Sequence, residues 1–206
     1  MKSGASRPRP GRPRAFDAAA ALERAMEVFW RKGYEGTSLT DLTRAMGISR
    51  PSLYAAYGNK ETLFRKVMDR YGRGPAGHIA EALAAPTARE VAERCIHGTA
   101  ELLGNPDHPP GCLGVNGIVV GGDGTRGVCR DMAARRFAVI EALRRRFLRA
   151  RKEGDLPDDA DPRALALYVS TVTQGLSVLA ASGAKGIDLR RAARQAMLSW
   201  PARPEP

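Results

Sequence analysis

The stretch Ser38-Leu39-Thr40-Asp41-Leu42-Thr43-Arg44-Ala45-Met46-Gly47-Ile48-Ser49-Arg50-Pro51-Ser52-Leu53-Tyr54-Ala55-Ala56-Tyr57 decides how the chain reads. Ser38 and Asp41 stand at capping-box spacing, with Asp in place of the usual Glu or Gln, so a helix is expected to begin there. Leu39, Leu42 and Met46 fall on one face of it. Gly47 ends it, and Ser49 can cap a second helix from Arg50 to about Tyr57. Pro51 then sits in the first turn, where a missing N–H does no harm. Two short helices joined by a tight turn containing Gly make the helix-turn-helix pattern. The second helix leaves Arg50, Ser52, Tyr54 and Tyr57 for its polar face. An ordinary helical hairpin inside a helical domain fits the same pattern.

Working outward, Asp17 is a good N-cap for an earlier helix, with Phe16 as a staple residue, and Gly33 stops it. Leu22, Ala25, Met26 and Phe29 share one face of that helix. On the other side Gly58 ends the second short helix and Asn59 caps a fourth, from Lys60 to about Tyr71. Further helices are expected over 78–85, 88–103, 113–120, 128–152, 162–181 and 188–200, with no convincing strand. The expected fold is all-α.

The chain has 206 residues and a formal net charge of +11. Arg outnumbers Lys, and Arg is the side chain that grips phosphate and guanine bidentately. Residues 1–60 hold eleven Lys/Arg against five Asp/Glu, so positive charge is denser at the amino end, where a nucleic-acid contact is to be sought first. Residues 1–14, rich in Pro, Arg, Gly and Ser, read as a disordered basic arm. The basic start is not followed by an apolar stretch, and no apolar run approaches the roughly 20 residues a membrane helix needs, so a cytoplasmic protein without a membrane partner is expected. Three cysteines without CxxC or His/Cys spacing exclude a disulfide framework and a zinc module, and no metal or other cofactor is expected.

Residues 16–66 resemble the TetR/AcrR family of bacterial transcriptional regulators. The likeness is carried by Gly36-Thr37-Ser38-Leu39-Thr40-Asp41-Leu42, Met46-Gly47-Ile48-Ser49-Arg50-Pro51-Ser52-Leu53-Tyr54 and Tyr57-Gly58-Asn59-Lys60-Glu61-Thr62-Leu63-Phe64. It implies a three-helix DNA-binding domain over 15–60 and a helical ligand-binding and dimerisation domain over 61–206. The implied protein is a regulator, most simply a repressor, and not an enzyme. It would bind a pseudo-palindromic double-stranded operator as a homodimer and be released by a small-molecule effector. Thr37, Ser38 and Thr40 would lie where the family makes phosphate contacts, which suits free N–H groups at a helix start. Arg50 would fork onto guanine, Pro51 and Ser52 would approach thymine methyls and phosphate, and Tyr54 and Lys60 would hold the backbone. Ala55 and Ala56 replace an aromatic residue and a His, so base readout leans on Arg50, with Thr40 as a second candidate. Tyr57 matches a position buried between helices.

For the larger part the resemblance implies that the last two helices pair with their symmetry mates. Leu165, Val169, Val172, Leu176 and Leu179 form one apolar stripe, and Ala192, Ala193, Ala196, Met197 and Trp200 another; these stripes could equally seal the monomer core. His97, Cys112, Asn116, Phe137, Tyr168, Thr171 and Gln174 are the candidates for a ligand pocket. Cys112, expected in a loop, could also be a thiol that senses oxidants or electrophiles, whereas Cys95 and Cys129 read as small apolar fillers. Gly122 to Gly127 formally satisfies GxGxxG, but a nucleotide-binding enzyme would need it between paired strands, and no second strand is found.

Overall fold

The computed structural model describes residues 17–116 and 125–202, and every element among them is helical. The helices are α1 (Ala18–Lys32), α2 (Leu39–Met46), α3 (Arg50–Tyr57), α4 (Lys60–Arg73) and α5 (His78–Ala82). They continue with α6 (Ala88–Gly104), α7 (Leu113–Asn116), α8 (Arg126–Lys152), α9 (Pro162–Ala181) and α10 (Gly186–Met197). The basic arm, Phe16 and most of the GxGxxG segment lie outside the described residues.

Local signals act where they were expected. The Asp17 carboxylate accepts from the N–H groups of Ala19 and Ala20, and Ser49 accepts from that of Ser52. Ser38 and Asp41 form the complete reciprocal capping box, and Gly47 closes α2 in the left-handed region (φ 69°, ψ 31°). Without a Cβ, Gly47 turns the chain into α3 at little cost. Other described ends differ from expectation by one to three residues, and of the helix expected over 113–120 residues 117–120 lie outside the described residues. Thus α8 begins at Arg126, so Arg126 and Gly127 belong to a helix rather than to a Gly-rich loop, and α10 ends at Met197.

Two apolar cores result. The first joins α1 to α4 with Leu113 of α7 and Val128 and Met132 of α8. Phe29 is fully buried in it, edge-on to Phe64 at 5.0 Å and stacked with Tyr34 at 6.1 Å. The second joins α5, α6, α8, α9 and α10, and Trp200 beyond the end of α10 closes it edge-on to Phe147 at 5.3 Å. The expected boundary at 60/61 therefore cuts α4 after its first residue, although Leu63, Phe64 and Val67 of that helix complete the first core.

Two expectations are corrected here. First, α9 is long and apolar enough to cross a membrane by length and composition, contrary to the reading of the sequence. Its Ser, Thr and Gln residues interrupt the apolar run without lowering its average enough, and in the fold it packs on α6, α8 and α10. Second, most of the nominated dimer stripe faces inward, Leu179 at 50% exposure being the exception. Val169 and Leu176 are buried, and Leu165 and Val172 pack against the second core, as do Ala192, Ala193 and Met197. The surface of α9 instead presents Ala164, Leu167, Thr171, Gly175 and Val178, at i, i+3, i+7, i+11 and i+14, one continuous row. A helix that is apolar on two faces does not announce from its sequence which face is internal.

Candidate nucleic-acid interface and ligand cavity

The turn between α2 and α3 brings Thr40 and Arg50 together. Both are exposed, and Arg50 Nη2 donates to Thr40 Oγ1 at 2.8 Å, so the guanidinium is held at the start of α3. Pro51 and Tyr54 are exposed on the same helix, Tyr54 at 48%. Ser52 is half-buried, its hydroxyl 2.9 Å from that of Ser49. Ala55 and Ala56 are exposed and offer no polar atom.

Ser38 is exposed, but its hydroxyl is already occupied. It accepts from Asp41 N–H at 3.0 Å and lies 2.8 Å from Asp41 Oδ2. Lys32 Nζ donates to Asp41 Oδ1 at 2.7 Å. That hydrogen bond, with those from Ser38, holds the Asp41 carboxyl well below the usual carboxylate range. The cap thus stays ionised as pH falls through the ordinary range and is lost only in stronger acid. Lys60 places its ammonium over the Tyr34 ring, 4.4 Å from the centroid, and burial lowers its pKa.

Thr37 stands apart from the other nominated contacts. It is 1% exposed, and its hydroxyl donates to Gly33 O at 2.6 Å, tying the α1–α2 link to the end of α1. Its position just before the cap made it look like a phosphate contact, but the fold turns it inward. Thr37→Val is expected to cost about 0.5–1.5 kcal/mol of stability through the lost hydrogen bond. Duplex affinity and its salt dependence should stay as in the parent protein, which thermal melts and anisotropy check separately.

The second site is a cavity of about 490 Å³ between α4, α5, α6, α8 and α9, within the usual size of small-molecule sites. Most of its wall is apolar, with Met68, Ile79, Leu102, Met132 and Leu143 among the contributors. Two polar pairs are set into it. His78 Nε2 lies 3.1 Å from Thr99 Oγ1, and burial lowers the His78 pKa, favouring the uncharged ring. Tyr71 Oη lies 3.1 Å from Cys112 Sγ, and burial pushes the Tyr71 phenol far up, keeping it protonated. The close passage of α5 over α6 depends on Gly98, where a Cβ would meet the His78 ring at 2.6 Å.

Of the nominated pocket residues, Cys112 and Gln174 line this cavity. His97 is half-buried on α6 but does not line it. Tyr168 instead donates to Ala196 O at 2.5 Å and lies 2.9 Å from Ser199 Oγ, joining α9 to the end of α10. Thr171 is exposed on the outer row of α9, and Phe137 is 68% exposed. Asn116 ends α7, and its side chain lies outside the described residues. These misplacements are errors of helical phase: one residue is 100° of rotation, so Phe137 faces out where Arg136 faces the cavity. Arg136 was missed, although a signal existed. It interrupts the row Val128, Met132, Arg136, Val139, Leu143, at spacings of four, four, three and four, which is otherwise apolar.

The two sites share α4, which gives Leu63, Phe64 and Val67 to the head core and Met68, Tyr71 and Gly72 to the cavity wall. Arg65 donates to Asp131 of α8 at 2.5 Å, Arg135 of α8 to Asp69 at 2.6 Å, and Arg70 pairs with Glu23 of α1. All are largely exposed, so each is worth about 0–1 kcal/mol and sets register more than stability. A second strut is Trp30 of α1, whose indole N–H donates to Gly111 O at 2.8 Å, one residue from Cys112.

Residues 21–67 match the family described as bacterial regulatory proteins, tetR family. Over 93% of this chain and 92% of its own length, the HTH-type transcriptional repressor ComR of Escherichia coli (strain K12) is 34% identical. The uncharacterized HTH-type transcriptional regulator YezE of Bacillus subtilis (strain 168) is 33% identical over 82% of this chain and 89% of its own. Among solved structures, a cysteine mutant of the TetR family transcriptional regulator CifR, complexed with 26-bp double-strand operator DNA, superposes with a TM-score of 0.87. It is 40% identical, with 92% of this chain and all of that one covered. An exposed Arg50 at the start of a correctly capped α3, together with near-full-length identity to such proteins, leads to one conclusion: the chain belongs to the TetR family and is a DNA-binding transcriptional regulator.

Proposed function

We propose that the protein is a repressor that binds a pseudo-palindromic operator as a homodimer and releases it when a small molecule fills the cavity between α4 and α9. The observation that carries this reading is the double use of α4, one end in the core of the head and the other in the cavity wall. The α3 helices of two subunits would enter successive major grooves about 34–36 Å apart. Thr40, Arg50, Pro51, Ser52, Tyr54 and Lys60 would make the contacts, with Ser38 as the cap that fixes α2 against the backbone. The working division is a head over 15–60 and an effector and dimer part over 61–206, with α4 bridging them. A ligand pressing on Met68 and Tyr71 would act on the packing of α4 against α1 and α8, whose register the weak ion pairs set. A differential affinity of a few kcal/mol is enough to favour the spacing of heads that misses the operator. The name of ComR, a transcriptional repressor, supports the direction of control, and the operator-bound CifR structure supports operator binding.

The test is anisotropy of the protein on duplex from its own upstream region beside a scrambled duplex, at two salt concentrations. A preference of about a thousandfold with a steep salt slope is expected. Equal weak binding to both would count against an operator in that region.

A thiol-responsive variant of this reading has its own observation. Cys112 lies on the cavity wall with its sulfur against the Tyr71 phenol, and its neighbour Gly111 holds Trp30 of the head. Modifying the sulfur would disturb both contacts. By contrast, burial pushes the Cys95 thiol up to about 12, and it should be inert. Iodoacetamide is expected to label Cys112 and spare Cys95, and operator release by peroxide or an electrophile should vanish in Cys112→Ser. Release that persists in Cys112→Ser would place the sensing elsewhere.

A further inference from the structure

We infer that the ligand of the cavity is an organic anion, an apolar body bearing one carboxylate, with the carboxylate paired to Arg136; this rests on the reading of the cavity as the effector site. The ionisable side chains on the wall are Tyr71, His78, Cys112, Arg135 and Arg136, and neither Asp nor Glu is among them. Four of the five are accounted for. Tyr71 and Cys112 face each other, His78 faces Thr99, and Arg135 is paired with Asp69 at 2.6 Å. Arg136 is the remainder. Its Nη1 is buried and has no hydrogen-bond partner among the described residues.

A guanidinium does not shed its proton to escape such a position. An unsatisfied buried donor is unfavourable, more so when charged, and a ligand that supplies an acceptor removes that penalty. A carboxylate does so best, because its two oxygens match the fork of the guanidinium. The other polar groups of the wall give no competing preference for a cation. Gln174 Nε2 donates to Ser170 O at 3.1 Å, the sulfur and phenol face each other, and the imidazole faces Thr99. The hydroxyls of Thr173 and Ser177 donate to α9 carbonyls, Ser170 O at 3.0 Å and Thr173 O at 2.8 Å, and most of the remaining surface is aliphatic or thioether and calls for an apolar body.

Another arginine with unpartnered buried nitrogens shows the contrast, although Arg136 as a whole is half-buried. Arg146 is 6% exposed and also has unpartnered nitrogens, but it donates to Ala85 O at 2.9 Å and Pro86 O at 2.8 Å, bracing the turn between α5 and α6. It does not line the cavity, so it serves as a structural cation. Arg136 Nη1 has neither a carbonyl nor a carboxylate among the described residues, and Arg136 lines the cavity.

The experiment uses the full-length protein without DNA, titrated calorimetrically with sodium decanoate and 2-naphthoate and with their neutral amides, decanamide and 2-naphthamide. At least one carboxylate is expected to bind tenfold or more tighter than its amide. Arg136→Met should erase that difference by weakening the carboxylate to the level of the amide, and Arg136→Lys should keep part of it. Circular dichroism melts confirm that each variant is folded, and Arg136→Lys carries the test if Arg136→Met is not. Equal binding of acid and amide, no binding of either acid, or a preference unchanged in Arg136→Met would overturn the inference. Operator release is read separately by anisotropy. A carboxylate that binds through Arg136 but leaves the operator complex intact would sustain the anion site and sink the effector reading.

Discussion

Val178→Asp is expected to convert the protein into a monomer and to weaken operator binding by two orders of magnitude or more. Val178 is 54% exposed on the outer row of α9, in line with Leu167 at 41% and with Thr171 and Gly175, and the described residues leave that row exposed. In an isologous dimer each residue on such a row comes from both subunits, so one substitution introduces two carboxylates. Burying an unpaired carboxylate is unfavourable by several kcal/mol. In the separate chain the site remains at the surface, where substitutions usually change stability by no more than about 0.5 kcal/mol. Losing the link between two heads removes the effective concentration of the second, typically a factor of about 10²–10⁴. Sedimentation velocity and anisotropy on the same preparation check this. A dimer that persists with unchanged operator affinity would move the interface away from α9.

Arg50→Ala should lose about 1–3 kcal/mol of discrimination, roughly five- to 150-fold, on the operator and much less on a scrambled duplex. The reason lies in the free protein. Thr40 Oγ1 already orients the Arg50 guanidinium at the start of α3, so little side-chain freedom is left to lose on binding. Two alanines follow at 55 and 56, so no neighbour on the helix replaces its readout. Selectivity should relax at one base position while the rest of the operator pattern survives. An equal loss on both duplexes, with a shallower salt slope, would make Arg50 a phosphate contact instead.

The DNA-reading half of the molecule was legible because its determinants are local. A serine and an aspartate three residues apart, a glycine with positive φ and a proline in the first turn each act within one or two turns of helix, and α2 and α3 follow from them. Thr37 was misread because a hydroxyl just before a cap is equally suited to phosphate and to the carbonyl of Gly33. Only the angle between α1 and α2 chooses between them.

The cavity is the opposite case. Its wall draws Tyr71, His78, Thr99, Cys112, Arg136 and Gln174 from residues more than a hundred positions apart, and Phe137 and Thr171 miss it by about a quarter-turn or more of their helices. In an arginine-rich α8, only the interrupted apolar row set Arg136 apart from its neighbours. By itself the sequence determined an all-helical chain, the place of the turn between α2 and α3, and the basic side chain after it. The tertiary structure decided which face of α9 is internal, which hydroxyls are spent, and which single arginine is left unpaired in an apolar cavity. The division has a physical cause: capping and turn geometry are short-range, whereas burial and charge compensation depend on which helices meet and at what rotation.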